Sequence, residues 1–191
     1  MEAFSDGVIA IIITIMVLEL KVPQGADLAS LRELAPVLAS YVLSFVYVAI
    51  YWNNHHHLLH ACERINGAIM WANMHLLFWL SLVPFVNAWA GTNREAPVPA
   101  ALYGVVLLMA GVAYFIMERE MVRENGPQSM LAEALGRDRK AMLSVVGYVV
   151  AIVLAFVSAR LADLIYVLVA VMWIVPDRRI APRVRDLDLS G

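Results

Sequence analysis

Two carboxylates bracket the first apolar run of this chain: Asp6, within Phe4-Ser5-Asp6-Gly7, and Glu19, within Leu18-Glu19-Leu20-Lys21. Between them, Val8 to Leu18 carries one hydroxyl, that of Thr14. An ionised side chain in an apolar helix costs several kcal/mol unless it is paired or faces water, so an acid there marks an ion pathway, a proton relay or a structural pair. A second polar group follows in Tyr51-Trp52-Asn53-Asn54-His55-His56-His57-Leu58-Leu59-His60, with Asn73 and His75 after it. Histidine can move protons or ligate a metal, and i, i+4 pairs can chelate. Asn53, His57 and His60 stand at i, i+4 and i+7, while Trp52 and His56 form an adjacent i, i+4 pair. Plainer roles compete with these. Asp6 can cap the start of its helix, Glu19 can sit at the water boundary, and His55 or His60 can occupy the wet interface.

Other chemistries lack their residues. There is no Ser-His-Asp order, glycine-rich phosphate loop or pair of catalytic carboxylates. Cys62 is the sole cysteine, which excludes an intrachain disulfide and a cysteine-rich metal site. Beside the histidines only Asp6 and Glu63 are near enough in sequence to complete a metal centre. The expectation is therefore no enzyme, no metal and no cofactor, and basic residues too thinly spread to bind nucleic acid.

The elements that must position these groups are membrane helices. Of 191 residues, 62% are hydrophobic and 16% charged, outside the usual soluble proportions. Charge-free stretches at 34–62, 68–93, 96–117 and 141–159 are each long enough to span a hydrocarbon core; 164–176 needs Leu161 and Ala162 and is the weakest. The opening segment, 4–20, has Glu2 just before it and Asp6 within it where a secretory signal would be basic, and reads as a mature helix. The fold expected is all-α, a polytopic membrane protein of six helices at about 3–21, 30–62, 66–90, 97–122, 139–160 and 161–177. Pro23 and Gly25 stop the first helix, Gly91 and Thr92 the third; Pro97 and Pro99 open the fourth, and Gly126 and Pro127 interrupt the longest loop. Pro84 should bend the third helix, and Trp71, Trp79, Trp89 and Trp173 suit anchoring or packing. A membrane unit at 1–177 and a cytoplasmic tail at 178–191 follow. With the N-terminus inside, ten of the 14 Lys and Arg residues lie on the inner side and four (Lys21, Arg32, Arg94, Arg160) on the outer, placing both termini in the cytoplasm.

At 100° per residue, Ile11, Ile15 and Leu18 share one stripe of the first helix, with Thr14 at its edge and Glu19 one turn above Ile15. Ser5 and Asp6 lie more than 100° away from Ile11. One face is thus bulky and apolar, the other polar at the inner end. No internal repeat is visible, so six helices must enclose a pathway alone or assemble symmetrically around one.

Phe4-Ser5-Asp6-Gly7, the apolar run after it and Leu18-Glu19-Leu20-Lys21-Val22-Pro23 resemble the first helix of the transmembrane protein 175 family, which includes lysosomal and prokaryotic potassium channels. The resemblance extends over the six-helix unit, of the prokaryotic single-repeat type. It implies that the first helix lines the pore, that Ile11 forms the narrowest point, that Thr14 supplies a polar layer tied to potassium preference, and that Ile15 and Leu18 are further aliphatic layers. It also implies that Trp52, Asn53, His56 and Asn73, with His57 as a further candidate, hydrogen-bond the Phe4-Ser5-Asp6 corner and fix the pore helix. The family's Arg, four residues before the Phe, would precede Met1. Either the chain as given is trimmed or Asp6 finds other donors.

The function expected is a potassium-preferring cation channel of the cell membrane. Four copies would surround one axis, with Ile11 as a hydrophobic constriction and Glu19 gathering cations at the outer mouth. Its partners would be further copies of itself, the lipid bilayer and potassium ions. A proton-coupled transporter using Asp6 and the histidines, or a membrane enzyme with His-bound metal, are the alternatives.

Overall fold

The computed structural model describes residues 1–126, 129 and 139–174. The expected tail, 178–191, lies outside them, as does Pro127. Within the described residues the chain is all-helical: α1 (Glu2–Leu18), α2 (Leu28–His60), α3 (Gly67–Ser81), α4 (Val83–Thr92), α5 (Pro97–Asn125), α6 (Arg139–Ala155) and α7 (Ala159–Ile174).

Among the described residues, seven helices correspond to the six apolar stretches of the sequence because the third stretch is broken. Pro84 has no N–H to give Leu80, and the chain passes through a tight turn in which Leu82 N–H bonds Trp79 C=O, 3.2 Å away. The expected bend is thus a discontinuity at Leu82, and Gly67–Thr92 together run 26 residues, enough to cross a membrane. α2 and α5 are also long and apolar enough to cross. At 1.5 Å per residue the 33 residues of α2 reach about 50 Å, well beyond a hydrocarbon core of about 30 Å. Its last turns, Trp52 to His60, can therefore reach the headgroup region, where histidines and amides are tolerated. α1, α6 and α7, with 17, 17 and 16 described residues, reach only about 24–26 Å, a few ångströms short of that core.

Local chemistry sets the ends. Asp27 caps α2, accepting from Ser30 N–H at 2.9 Å, and Asn66 caps α3, accepting from Ile69 N–H at 2.9 Å. Pro97 occupies the first position of α5, where its missing N–H is harmless. At the other end Gly126 takes φ 94°, a left-handed-side conformation only glycine adopts freely, which ends α5 just after Asn125. Asn125 then accepts from Glu63 N–H and Arg64 N–H, fastening the α2–α3 link to α5.

The core combines small residues with buried hydroxyls. Ala110 and Ala113 of α5, Ala151 and Ala155 of α6 and Ala162 and Ala170 of α7 are all buried, allowing these backbones close approach. Ser44 donates to Asn87 at 2.9 Å and lies 3.0 Å from the Tyr103 hydroxyl. Tyr47 donates to Tyr166 C=O at 2.6 Å, and the Tyr166 hydroxyl to Ala100 C=O at 3.0 Å. These bonds satisfy polar groups that lipid would leave unpaired. The outer faces of α6 and α7, by contrast, expose Leu143, Val146, Val150, Leu164 and Leu168, an apolar belt suited to hydrocarbon.

Candidate functional site: the first helix and its polar anchor

α1 has two sides. Ser5, Ile9, Ile12 and Met16 recur at i, i+4, i+7 and i+11 and are all buried against the rest of the chain. Phe4, Ile11, Ile15 and Leu18 lie on the opposite side and are exposed, Ile11 by 58% and Leu18 by 82%. Thr14 shares that side and is exposed; its hydroxyl donates to Ile11 C=O at 2.8 Å, so its oxygen remains free to accept. Glu19 caps the C-terminal end and is exposed. The apolar stripe read from the sequence is therefore the unburied side of α1 in the single chain.

The N-terminal end of α1 is held by two polar clusters. In the first, Asn73 of α3 donates through Nδ2 to Ser5 Oγ at 3.0 Å, and Ser5 Oγ donates to Met1 C=O at 3.2 Å. His55 Nε2 lies 2.7 Å from Asn73 Oδ1, which is satisfied when that nitrogen carries the proton. His55 Nδ1 is then a bare acceptor, and it is the one buried side-chain polar atom among the described residues without a partner. Ser5, His55 and Asn73 are essentially sealed from solvent.

In the second cluster, Trp52 Nε1 donates to Asp6 Oδ1 at 2.9 Å. The Trp52 ring stacks on His56, with centroids 5.6 Å apart and planes 21° from parallel. His56 Nδ1 in turn lies 3.1 Å, and His60 Nε2 3.3 Å, from Glu2 Oε1. Trp52, His56 and His60 stand at i, i+4 and i+8 on α2, facing Glu2 and Asp6 at i and i+4 on α1. The two helices run antiparallel, so successive turns meet in register.

Two expectations need correcting. Asn53 and His57 are exposed and make no hydrogen bond to the Phe4-Ser5-Asp6 corner; His57 only meets the edge of His56, with centroids 5.8 Å apart. His55, expected at the wet interface, is instead buried in the corner. Helical phase explains both. His55 lies about 60° from Trp52 on the side where α3 packs, whereas Asn53 lies about 100° away on the other side. Trp52 bonds Asp6 and Asn73 bonds Ser5, whereas His56 makes no bond to that corner and instead stacks on Trp52 and faces Glu2. Glu2 was missed as a partner, although the spacing of Glu2 and Asp6 against residues 52, 56 and 60 carried the signal. His75 stands apart, accepting from Trp79 Nε1 at 2.9 Å.

The sequence profile described as endosomal/lysosomal potassium channel TMEM175 matches residues 1–84, a stretch that includes α1, α2, α3 and every residue of the two clusters. A Chryseobacterium protein named as a potassium channel is 49% identical over 186 residues, covering 97% of each chain. The chain belongs to the TMEM175 family. A Streptomyces collinus protein, also named as a potassium channel, is 33% identical over 171 residues, covering 84% of this chain and 83% of its own. The crystal structure of a lysosomal potassium-selective channel TMEM175 homolog from Chamaesiphon minutus matches with a TM-score of 0.80 at 28% identity, over 91% of this chain and 94% of that one. The all-helical membrane fold is thus that of TMEM175 proteins.

Proposed function

We propose that this protein is a potassium-preferring cation channel of the cell membrane, in which four copies turn the exposed side of α1 toward a common axis. The observation that carries this reading is the division of α1. A buried stripe and two polar clusters fix the helix to its own subunit, leaving Ile11, Thr14, Ile15 and Leu18 uncovered. The relatives named as potassium channels support the same reading.

In this arrangement four Ile11 side chains form a constriction that closes by dewetting, backed by Ile15 and Leu18. Four Thr14 oxygens, with their protons committed to the helix, offer a ring of acceptors to a passing cation. Glu19 raises cation concentration at the outer mouth. Conduction is passive, through residues 1–177 as one membrane unit, with no cofactor and no catalytic step. Both termini face the cytoplasm, in keeping with the excess of Lys and Arg on that side.

Flux from liposomes holding potassium or sodium tests the assignment. Ile11→Asn should raise sodium permeability relative to potassium, because a polar side chain hydrates the constriction. An unchanged ion ratio would refute Ile11 as the narrow layer. Saturable transport coupled to proton uptake would favour the transporter reading instead.

A further inference from the structure

Glu2, His56 and His60 present three ligand atoms, Glu2 Oε1, His56 Nδ1 and His60 Nε2, all within 4.8 Å of one another. Two separations are 3.1 and 3.3 Å. Ligands about 2.1 Å from a tetrahedral zinc-like ion stand roughly 3.4 Å apart, so this donor set needs little rearrangement to close on one. Two imidazoles and a carboxylate are the donors that suit zinc and its neighbours, rather than calcium or magnesium.

We propose that Glu2, His56 and His60 bind one divalent transition metal of the zinc class at the inner end of the α1–α2 seam. Three features favour a site over a chance cluster. His56 is oriented by its stack on Trp52, whose indole is tied to Asp6, so the ligand is held through a second layer of contacts. The three residues are partly open, with side-chain exposures of 36%, 43% and 61% for His56, Glu2 and His60, giving entry and room for a water as fourth ligand. The C-terminal end of α2, where His60 sits, favours a cation, and the Glu2 carboxylate offsets the opposite tendency of the α1 N-terminus.

The site joins α1 to α2 two turns below Ile9 and one turn from the Trp52–Asp6 bond. Resting on the proposal that α1 lines the pore, metal occupancy would hold the inner end of that helix against its own subunit and slow conduction.

The full chain, stripped with chelator and reconstituted in nanodiscs, is titrated with zinc chloride at neutral pH. The expected result is one zinc per chain and a raised Tm. His60→Ala and, separately, Glu2→Gln should weaken binding by about tenfold or more, since losing even a supporting contact at a metal site typically costs that much. Equal stoichiometry and equal Tm shift in both variants would overturn the site. In liposomes, zinc on the inner side should lower potassium flux relative to each protein's own zinc-free rate, less so in His60→Ala. Zinc bound without any change in flux would overturn the coupling to α1. No potassium flux from zinc-free liposomes would refute the channel reading, which the binding titration does not need.

Discussion

Asn73 and Trp52 hold the start of α1 by different means, and the two should respond differently to substitution. Asn73 is sealed and serves both Ser5 and His55, so Asn73→Leu strips His55 Nε2 and Ser5 Oγ of their shared partner. Interhelical hydrogen bonds within membranes average about 0.6 kcal/mol and reach about 1.7, so losing both should cost roughly 1–2 kcal/mol. Trp52→Phe keeps the ring stack on His56 but removes the N–H to Asp6. That bond is charge-assisted yet partly exposed, and its loss should cost roughly 1 kcal/mol after allowance for screening. Thermal unfolding in detergent checks both, with the Asn73 variant expected to melt lower. At this scale the sequence was partly legible. An acid in an apolar helix calls for a partner, and the structure sets Trp52 beside Asp6 and Asn73 beside Ser5, with His56 turned to Glu2 instead. With five polar residues in a row from Asn53 to His57 and Trp52 beside them, however, type alone could not select members. The position of α3 beside α2 admits His55 and turns Asn53 and His57 outward, and that is a fact of packing.

Helices and their ends follow a similar rule. α1 through α5 were readable from apolar runs with strong punctuation, such as Pro97 at a start and Gly25 in a link. The break at Leu82 was foreshadowed by Pro84. The α6–α7 boundary was placed several residues late because Leu154-Ala155-Phe156-Val157-Ser158 holds no glycine or proline. Its turn is made by Ser158, whose N–H bonds Leu154 C=O and whose own C=O accepts from Leu161 and Ala162. Gly104 of α5 also escaped notice, since only three-dimensional contact explains it: a Cβ there would collide with the Tyr166 hydroxyl and press on Ile152 at 2.8 Å. Gly104→Ala should therefore destabilise the α5–α6–α7 packing by about 1–3 kcal/mol, read as a lower Tm. The start of α2 carries a pH dependence. Hydrogen bonds from the Ser30 side chain and backbone hold the Asp27 carboxyl below the ordinary aspartate range. A depressed carboxylate stabilises above its unfolded pKa and loses that contribution as pH falls through the folded value. Amide exchange at Ser30 should accordingly quicken, relative to mid-helix residues, as pH drops below about 4, and Asp27→Asn should flatten that response.

For the molecule as a whole, the exposed apolar faces of α1 and of α6 and α7 differ in kind. The belt on α6 and α7 is broad, aliphatic and continuous, as lipid contact requires, whereas the α1 stripe is narrow, holds Thr14 and ends in Glu19. The proposed assembly of four copies with the α1 stripe inward would account for both faces, and cross-linking in native membranes should then give a ladder ending at four; a dominant monomer would count heavily against that assembly. Cysteine accessibility tests the inward stripe most directly. In a Cys62→Ser background, Ile15→Cys and Leu18→Cys channels in potassium-loaded liposomes are exposed to a membrane-impermeant, positively charged thiol reagent, with Val153→Cys on the α6 belt as the lipid-facing control. The account predicts that flux through the two α1 variants falls while the control is untouched. Modification of neither α1 cysteine by the charged reagent, together with ready labelling of both by a lipid-soluble maleimide, would put the stripe against the bilayer and contradict it.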